Sequence, residues 1–192
     1  MEPLRVLIKG CVDNNQNCQR TLYRRFYGYA LKVVFRYIFN YNTAADVVND
    51  GFVKVFNNFY RFKVQLPDNE LEKLFMGWMK KIMVNTAIDE LRRSQLVQET
   101  GEIREDIWDM REKGQSAEQA LMYKDLVCEI KRLPTSYRIV FNMFAIDGYT
   151  HQEIANILGI SVGTSKSSLS KAKGHLQKYI ASKYPGEDIW NT

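Results

Sequence analysis

The chain has little of what enzymes and metal proteins are built from. Its three cysteines, Cys11, Cys18 and Cys128, are an odd set with none in a CxxC pair, which disfavours a disulfide framework and leaves them as expected buried thiols. Its two histidines, His151 and His175, have no cysteine or carboxylate at ligand spacing, so no metal site is expected. GxSxG, HExxH, P-loop and dinucleotide fingerprints are missing, so no catalytic residues, cofactor or small-molecule substrate are expected, and the chain does not read as an enzyme. Long apolar runs are also missing. The start, "MEPLRVLIKGC", has no secretion-signal core, which predicts a cytoplasmic protein.

Acid is scarce at one end, and that scarcity is the first positive signal. The 27 Lys and Arg outnumber the 22 Asp and Glu, a net charge of +5 that suits a polyanion without requiring one. The sorting says more. Residues 96–120 hold seven acids against three bases, whereas 162–180 hold four lysines and no acid. With 192 residues and 45% hydrophobic content the chain can bury one or two cores.

Helical periodicity dominates and alternating strand patterns are lacking, so the expected fold is all-α. Two small helical domains joined by an acidic linker is the simplest parse: a first domain over 1–95, the linker over 96–115, a second domain over 116–184 and a tail over 185–192. In the second domain Ser116 with Gln119, and Thr150 with Glu153, form capping-box pairs. Leu133 and Pro134 stop one helix, a second is expected over 136–146, Gly159 ends the next, and Ser161 is a good N-cap for the last.

That last helix has two unlike faces. At 100° per residue Val162, Leu169, Leu176 and Ile180 fall together with Ala172 at their edge, and Thr164, Ser167, Lys171 and Lys178 lie opposite. Ile154, Ala155 and Leu158 give the preceding helix an inward stripe, and "LGIS" is a short glycine-containing turn. This is the pattern of a helix-turn-helix, in which small polar and cationic side chains on the first turns reach phosphates and base edges in a major groove. Two packed helices with a solvated lysine face would give the same periodicity.

The segment "LPTSYRIVFNMFAIDGYTHQEIANILGISVGTSKSSLSKAKGHLQKY" resembles the fourth region of bacterial extracytoplasmic-function (ECF) sigma factors, in its "LP...YR.VF" entry and its "G.S..EIA..LGIS.GT.KS.L" frame. The resemblance implies minus-thirty-five recognition through Ser161, Gly163, Thr164, Lys166, Ser167, Ser168 and Lys171. Ser165 stands where the family usually has a branched apolar residue, and Ser168 and Gly174 replace usual basic ones. In the first half, "NTAADVVNDGFVKVFNNFYRF" places Val48, Phe52, Val55, Phe56 and Phe59 on a core face, with Val53 embedded among acids and amides opposite. From pattern alone that is an ordinary solvated face. It is similar, however, to the family's "A.D..Q..F.K.W..L..F" helix, which implies polymerase contacts at Asp46, Asn49, Asp50 and Val53.

The segment "LFMGWMKKIMVNTAIDELRRSQ", 74–95, resembles the family's "W...IA.N...D.LRR" helix and implies minus-ten contacts at Lys81, Asn85, Asp89, Arg92 and Arg93. Trp78 shares their stripe but has apolar neighbours and reads as core. The stretch Arg61–Lys73 lies where the family keeps a pocket for a flipped base. The opening "LIKGC" is similar to sigma factors of Bacteroidetes-type bacteria, and "IREDIWDM" in the linker reads either as a nucleic-acid mimic or as a spacer. As a whole the resemblance implies an alternative sigma factor whose partners are core RNA polymerase, promoter DNA and an anti-sigma factor. Two rivals stand beside it: a regulator with a sensing first half, and a polymerase-binding inhibitor.

Overall fold

The computed structural model describes residues 2–62, 67–93 and 117–184. The chain divides into two compact units, Met1–Glu105 and Asp106–Thr192. Among the described residues both are helical throughout.

The first unit is built from α1 (Leu4–Val12), α2 (Gln16–Phe35), α3 (Tyr41–Asn57), a 3-10 turn (Phe59–Arg61) and α4 (Asp68–Arg93). Asparagines set its helix starts: Asn15 Oδ1 accepts from the N–H groups of Asn17 and Cys18, and Asn40 Oδ1 from that of Thr43. Asn14, at φ 57°, makes the tight turn between α1 and α2, a left-handed conformation that Asn tolerates better than most residues. The core is aromatic at one end. Phe75 is fully buried, lies parallel to Phe59 at 6.0 Å between ring centres, and meets Phe26 and Phe62 edge-on. At the other end α3 and α4 cross closely at Gly51, where a Cβ would stand 2.3 Å from Met83 Sδ.

Helix α4 begins six residues before the expected start at Leu74. Leu71 is fully buried and continues the stripe of Phe75, Met79 and Met83 back toward Pro67, whose carbonyl accepts from Glu70 and Leu71. Much of the stretch Arg61–Lys73 is therefore helix, and Glu72 in its first turns pairs with Arg25 of α2 at 3.0 Å. Residues 63–66 of that stretch are outside the described residues.

The second unit contains α5 (Ala117–Arg132), α6 (Thr135–Phe141), a π-helical turn (Asn142–Ile146), α7 (His151–Leu158) and α8 (Val162–Lys183). The helix expected over 136–146 is thus α-helical only to Phe141 before it widens, with the Asp147 N–H reaching the Asn142 carbonyl at 2.9 Å. Pro134 separates α5 from α6, and buried Arg138 turns back to donate through Nη1 to the carbonyls of Lys131 and Leu133 at the end of α5. At the far end Lys183 Nζ meets Asp125 Oδ2 at 2.6 Å, tying α8 to α5. Ser116, the acidic linker with "IREDIWDM" and the tail lie outside the described residues.

The three cysteines do not share one environment. Cys11 is buried as expected, but Cys18 is half-buried and Cys128 is exposed, because Cys128 falls on the outer face of α5.

Candidate polymerase and nucleic-acid interfaces

Helix α8 begins at a well-formed cap. Thr150 and Glu153 close a reciprocal capping box on α7, and Gly159 ends that helix at φ 68°, which only glycine adopts without strain. Ser161 then accepts from the Thr164 N–H at 2.9 Å and starts α8. Its hydroxyl also bonds that of Thr164 at 2.8 Å, and Ser167 Oγ donates to the Thr164 carbonyl at 3.0 Å. Ser161, Gly163, Thr164, Lys166, Ser167 and Lys171 are all exposed on the outer side of the first turns. Small hydroxyls pinned to the backbone, two cations and the N–H groups of a helix start form a surface suited to phosphates and base edges.

Ser168 does not belong to that surface. It is buried at 6% exposure, alongside Ser165 at 0%, because both fall on the inward stripe with Leu169, Ala172 and Leu176. Ala172 is at the centre of the stripe rather than its edge, and Val162 is only half-buried. Ser165 is satisfied there: its Oγ lies 2.9 Å from His151 Nδ1, and the His151 ring stacks on Phe144 at 4.4 Å. A polar contact between α7 and α8 thus takes the place of a branched apolar one. Both serines lie inward and contribute nothing to the outer face. Gly174 lies at open space, with nothing within 4 Å of a Cβ placed on it.

Sequence reasoning also missed what holds Lys171. Its Nζ sits 5.5 Å from the centre of the Tyr137 ring, so a residue of α6 positions a cation of α8. The Tyr within the "SYR" segment was the available signal.

In the first unit Asp46, Asn49, Asp50 and Val53 are together on the exposed face of α3, and Val53 is 57% exposed. Tyr23 of α2 donates to Asn49 Oδ1 at 2.9 Å and fixes that amide. Behind them Val48, Phe52, Val55 and Phe59 are buried, while Phe56 is half-buried. Asp50 and Val53 also line a shallow groove of about 170 Å³ between α3 and α4, with Thr86, Glu90 and Arg93 on its other wall.

On α4 Lys81, Asn85, Arg92 and Arg93 are exposed. Asp89 is half-buried and its carboxylate meets Lys54 Nζ at 3.4 Å, so it braces α4 against α3 instead of standing as an isolated charge. Trp78 packs against Phe59, Phe62 and Phe75 but is only half-buried, at the head of the Lys81–Asn85–Arg92 stripe, so it is not the core residue expected.

These two units match known families. The model of Sigma-70 region 2 matches residues 22–97, and that of Sigma-70, region 4 matches residues 123–176. RNA polymerase sigma factor SigZ of Bacillus subtilis is 31% identical over 126 residues, which are 64% of this chain and 68% of the relative. The chain belongs to the ECF RNA polymerase sigma factors. Such proteins are initiation factors, not enzymes. ECF RNA polymerase sigma factor SigE of Mycolicibacterium smegmatis is 24% identical over 154 residues, 78% of this sigma chain. The sigma chain spans just over half of that relative, 56%. The fold is also that of the sigma factor RpoE from Bartonella quintana, solved with the anti-sigma factor NepR, at a TM-score of 0.54 and 16% identity, covering 85% of this chain and 97% of that one.

Proposed function

We propose that this sigma chain binds core RNA polymerase, brings it to a particular promoter class and helps open the duplex there. The observation that carries the reading is α8: it buries Ser165, Ser168, Leu169 and Ala172 and leaves Thr164, Lys166, Ser167 and Lys171 exposed next to a capped helix start. That arrangement supports insertion of its first turns into the minus-thirty-five major groove, with Ser161 and Gly163 at the entry. The first domain, 1–95, docks on polymerase through Asp46, Asn49, Asp50 and Val53. It captures the melted minus-ten strand through Lys81, Asn85, Arg92 and Arg93, with Asp89 as a brace. The acidic linker, 96–115, joins it to the minus-thirty-five domain, 116–184.

The protein works in the cytoplasm, where its polymerase is. No helix among the described residues is long and apolar enough to cross a membrane. An anti-sigma factor is the expected restraint, as NepR is for its structural neighbour.

Run-off transcription from a promoter-bearing genomic library, with core polymerase of the source bacterium, tests the reading directly. Discrete new transcripts that require this chain are the expected result. Tight core binding without transcripts would favour an inhibitor, and no core binding would favour a regulator with a sensing first half.

A further inference from the structure

Tyr23 of α2 reaches across to the exposed face of α3 and settles which way one side chain there points. Its ring is half-buried and held on two sides, by Phe52 of α3 at 4.7 Å between ring centres and by Tyr27 of its own helix at 5.2 Å. Tyr27 is in turn hydrogen-bonded to Tyr41 in the first turn of α3. The Tyr23 hydroxyl therefore arrives at Asn49 from a mount with little freedom to swing, and donates to Oδ1 at 2.9 Å. Burial, with Tyr41 nearby, pushes that hydroxyl up from its ordinary value, so it keeps the proton it donates.

An asparagine amide has one accepting oxygen and one donating nitrogen, and fixing the first fixes the second. Asn49 is exposed, and with Oδ1 engaged by Tyr23 its Nδ2 hydrogens have no partner among the described residues. Asp46 lies one turn before it, Asp50 directly follows it, and Val53 lies one turn beyond. The face thus offers two carboxylates, which any cationic surface could meet, and beside them a donor that only an acceptor satisfies.

We propose that Tyr23 is a positioning residue for polymerase docking: by holding the Asn49 amide with Nδ2 outward, it selects a polymerase surface that sets an acceptor oxygen beside the cations that meet Asp46 and Asp50. This rests on the proposed docking through α3. An asparagine left to rotate would have to be ordered on binding and could turn its oxygen outward instead, and the bond to Tyr23 removes both costs before polymerase arrives. Tyr23 acts through Asn49 and not by a contact of its own.

The test is titration of the fluorescently labelled full chain with core polymerase of the source bacterium. Tyr23→Phe keeps the ring on Phe52 and loses only the hydroxyl, and is expected to weaken core binding by between about 2-fold and about 13-fold, the range for one neutral hydrogen bond. In an Asn49→Ala background the same change is expected to cost nothing further, which a general loosening of the fold or a direct contact by Tyr23 would not produce. Asn49→Asp keeps an oxygen for Tyr23 but turns the outward donor into an acceptor, and should bind core more weakly than Asn49→Ala despite its added negative charge. If Tyr23→Phe binds core like the wild type, or loses affinity equally with and without Asn49, the positioning role is wrong and the docking reading stands. If Asn49→Asp binds core more tightly than the wild type, the outward atom is not a donor and the inference is overturned. If Asn49→Ala and Asp50→Arg both bind core like the wild type, α3 is not the docking face and both fall.

Discussion

Substituting Ser165 by alanine tests whether the polar contact between α7 and α8 holds the helix-turn-helix together. The change removes one hydroxyl from a fully buried site and leaves His151 Nδ1 without the partner it meets at 2.9 Å. A neutral hydrogen bond contributes about 0.5–1.5 kcal/mol net, and because His151 is only half-buried, water meets part of its need, so we expect about 1 kcal/mol. For a domain of this size that lowers the melting temperature by about 4–8 °C. His151→Ala also loses the stack on Phe144, worth about 0.5–1.5 kcal/mol more. If the two residues act through one bond, the double variant falls short of the sum by about 1 kcal/mol. Calorimetry of the intact chain, following the transition of the second unit, measures all three variants. The outer face of α8 is untouched, so minus-thirty-five binding well below the melting temperature should not change. A Ser165→Ala variant that melts with the wild type, or a cycle with no coupling, would refute the reasoning.

Phe75→Ala should destabilise the first unit by about 3–5 kcal/mol, since it empties the site where four rings meet, and should leave the second transition in place in the same calorimeter. Gly174→Ala should stabilise the second unit by about 0.5–1 kcal/mol, because the site is open and glycine is a poor helix former; a lowered melting temperature would contradict this. Lys171→Glu should abolish minus-thirty-five-dependent transcription while core binding persists, and Tyr137→Ala should weaken the same transcription in part, by freeing the lysine from its ring. Burial, helped by neighbouring Cys18, pushes the Cys11 thiol up to about 12. The unfolded thiol ionises near its ordinary value, so the folded chain holds the proton more tightly, and stability from this group is full below about pH 8.5 and is lost progressively as pH rises toward 12. Alkylation should accordingly mark exposed Cys128 first and reach Cys11 only on unfolding, as peptide mapping would show.

The caps, the glycine turn and the two-domain helical parse were legible because each depends on residues three or four apart. Thr150 with Glu153, Gly159 and Ser161 behave as local chemistry dictates. The face of α3 was legible for the same reason, since one helix period sorts Phe52 inward and Val53 outward. What failed was the inference from side-chain polarity to exposure. Ser165 and Ser168 are polar but lie on the inward stripe, and only the position of His151 on another helix tells why Ser165 is tolerated there. The ion pair of Asp89 with Lys54 was not legible either, because α3 brings that lysine beside it only in the fold. The start of α4 was misplaced because Pro67 and the acids after it look like a loop, whereas buried Leu71 extends the apolar stripe past Leu74.

The widened turn at Asn142–Ile146 bears on how this domain tolerates change in chain length. An α-helix advances by about 100° per residue, so one residue accommodated in a π turn at the end of a helix changes the direction in which the chain leaves it. The whole helix-turn-helix lies downstream of that change. Deleting one residue within the turn would let it tighten to α geometry and would turn the direction in which α7 departs from α6, while leaving each downstream helix internally unchanged. The aim of α8 is therefore encoded partly upstream of it, in the count of residues between Phe141 and Tyr149.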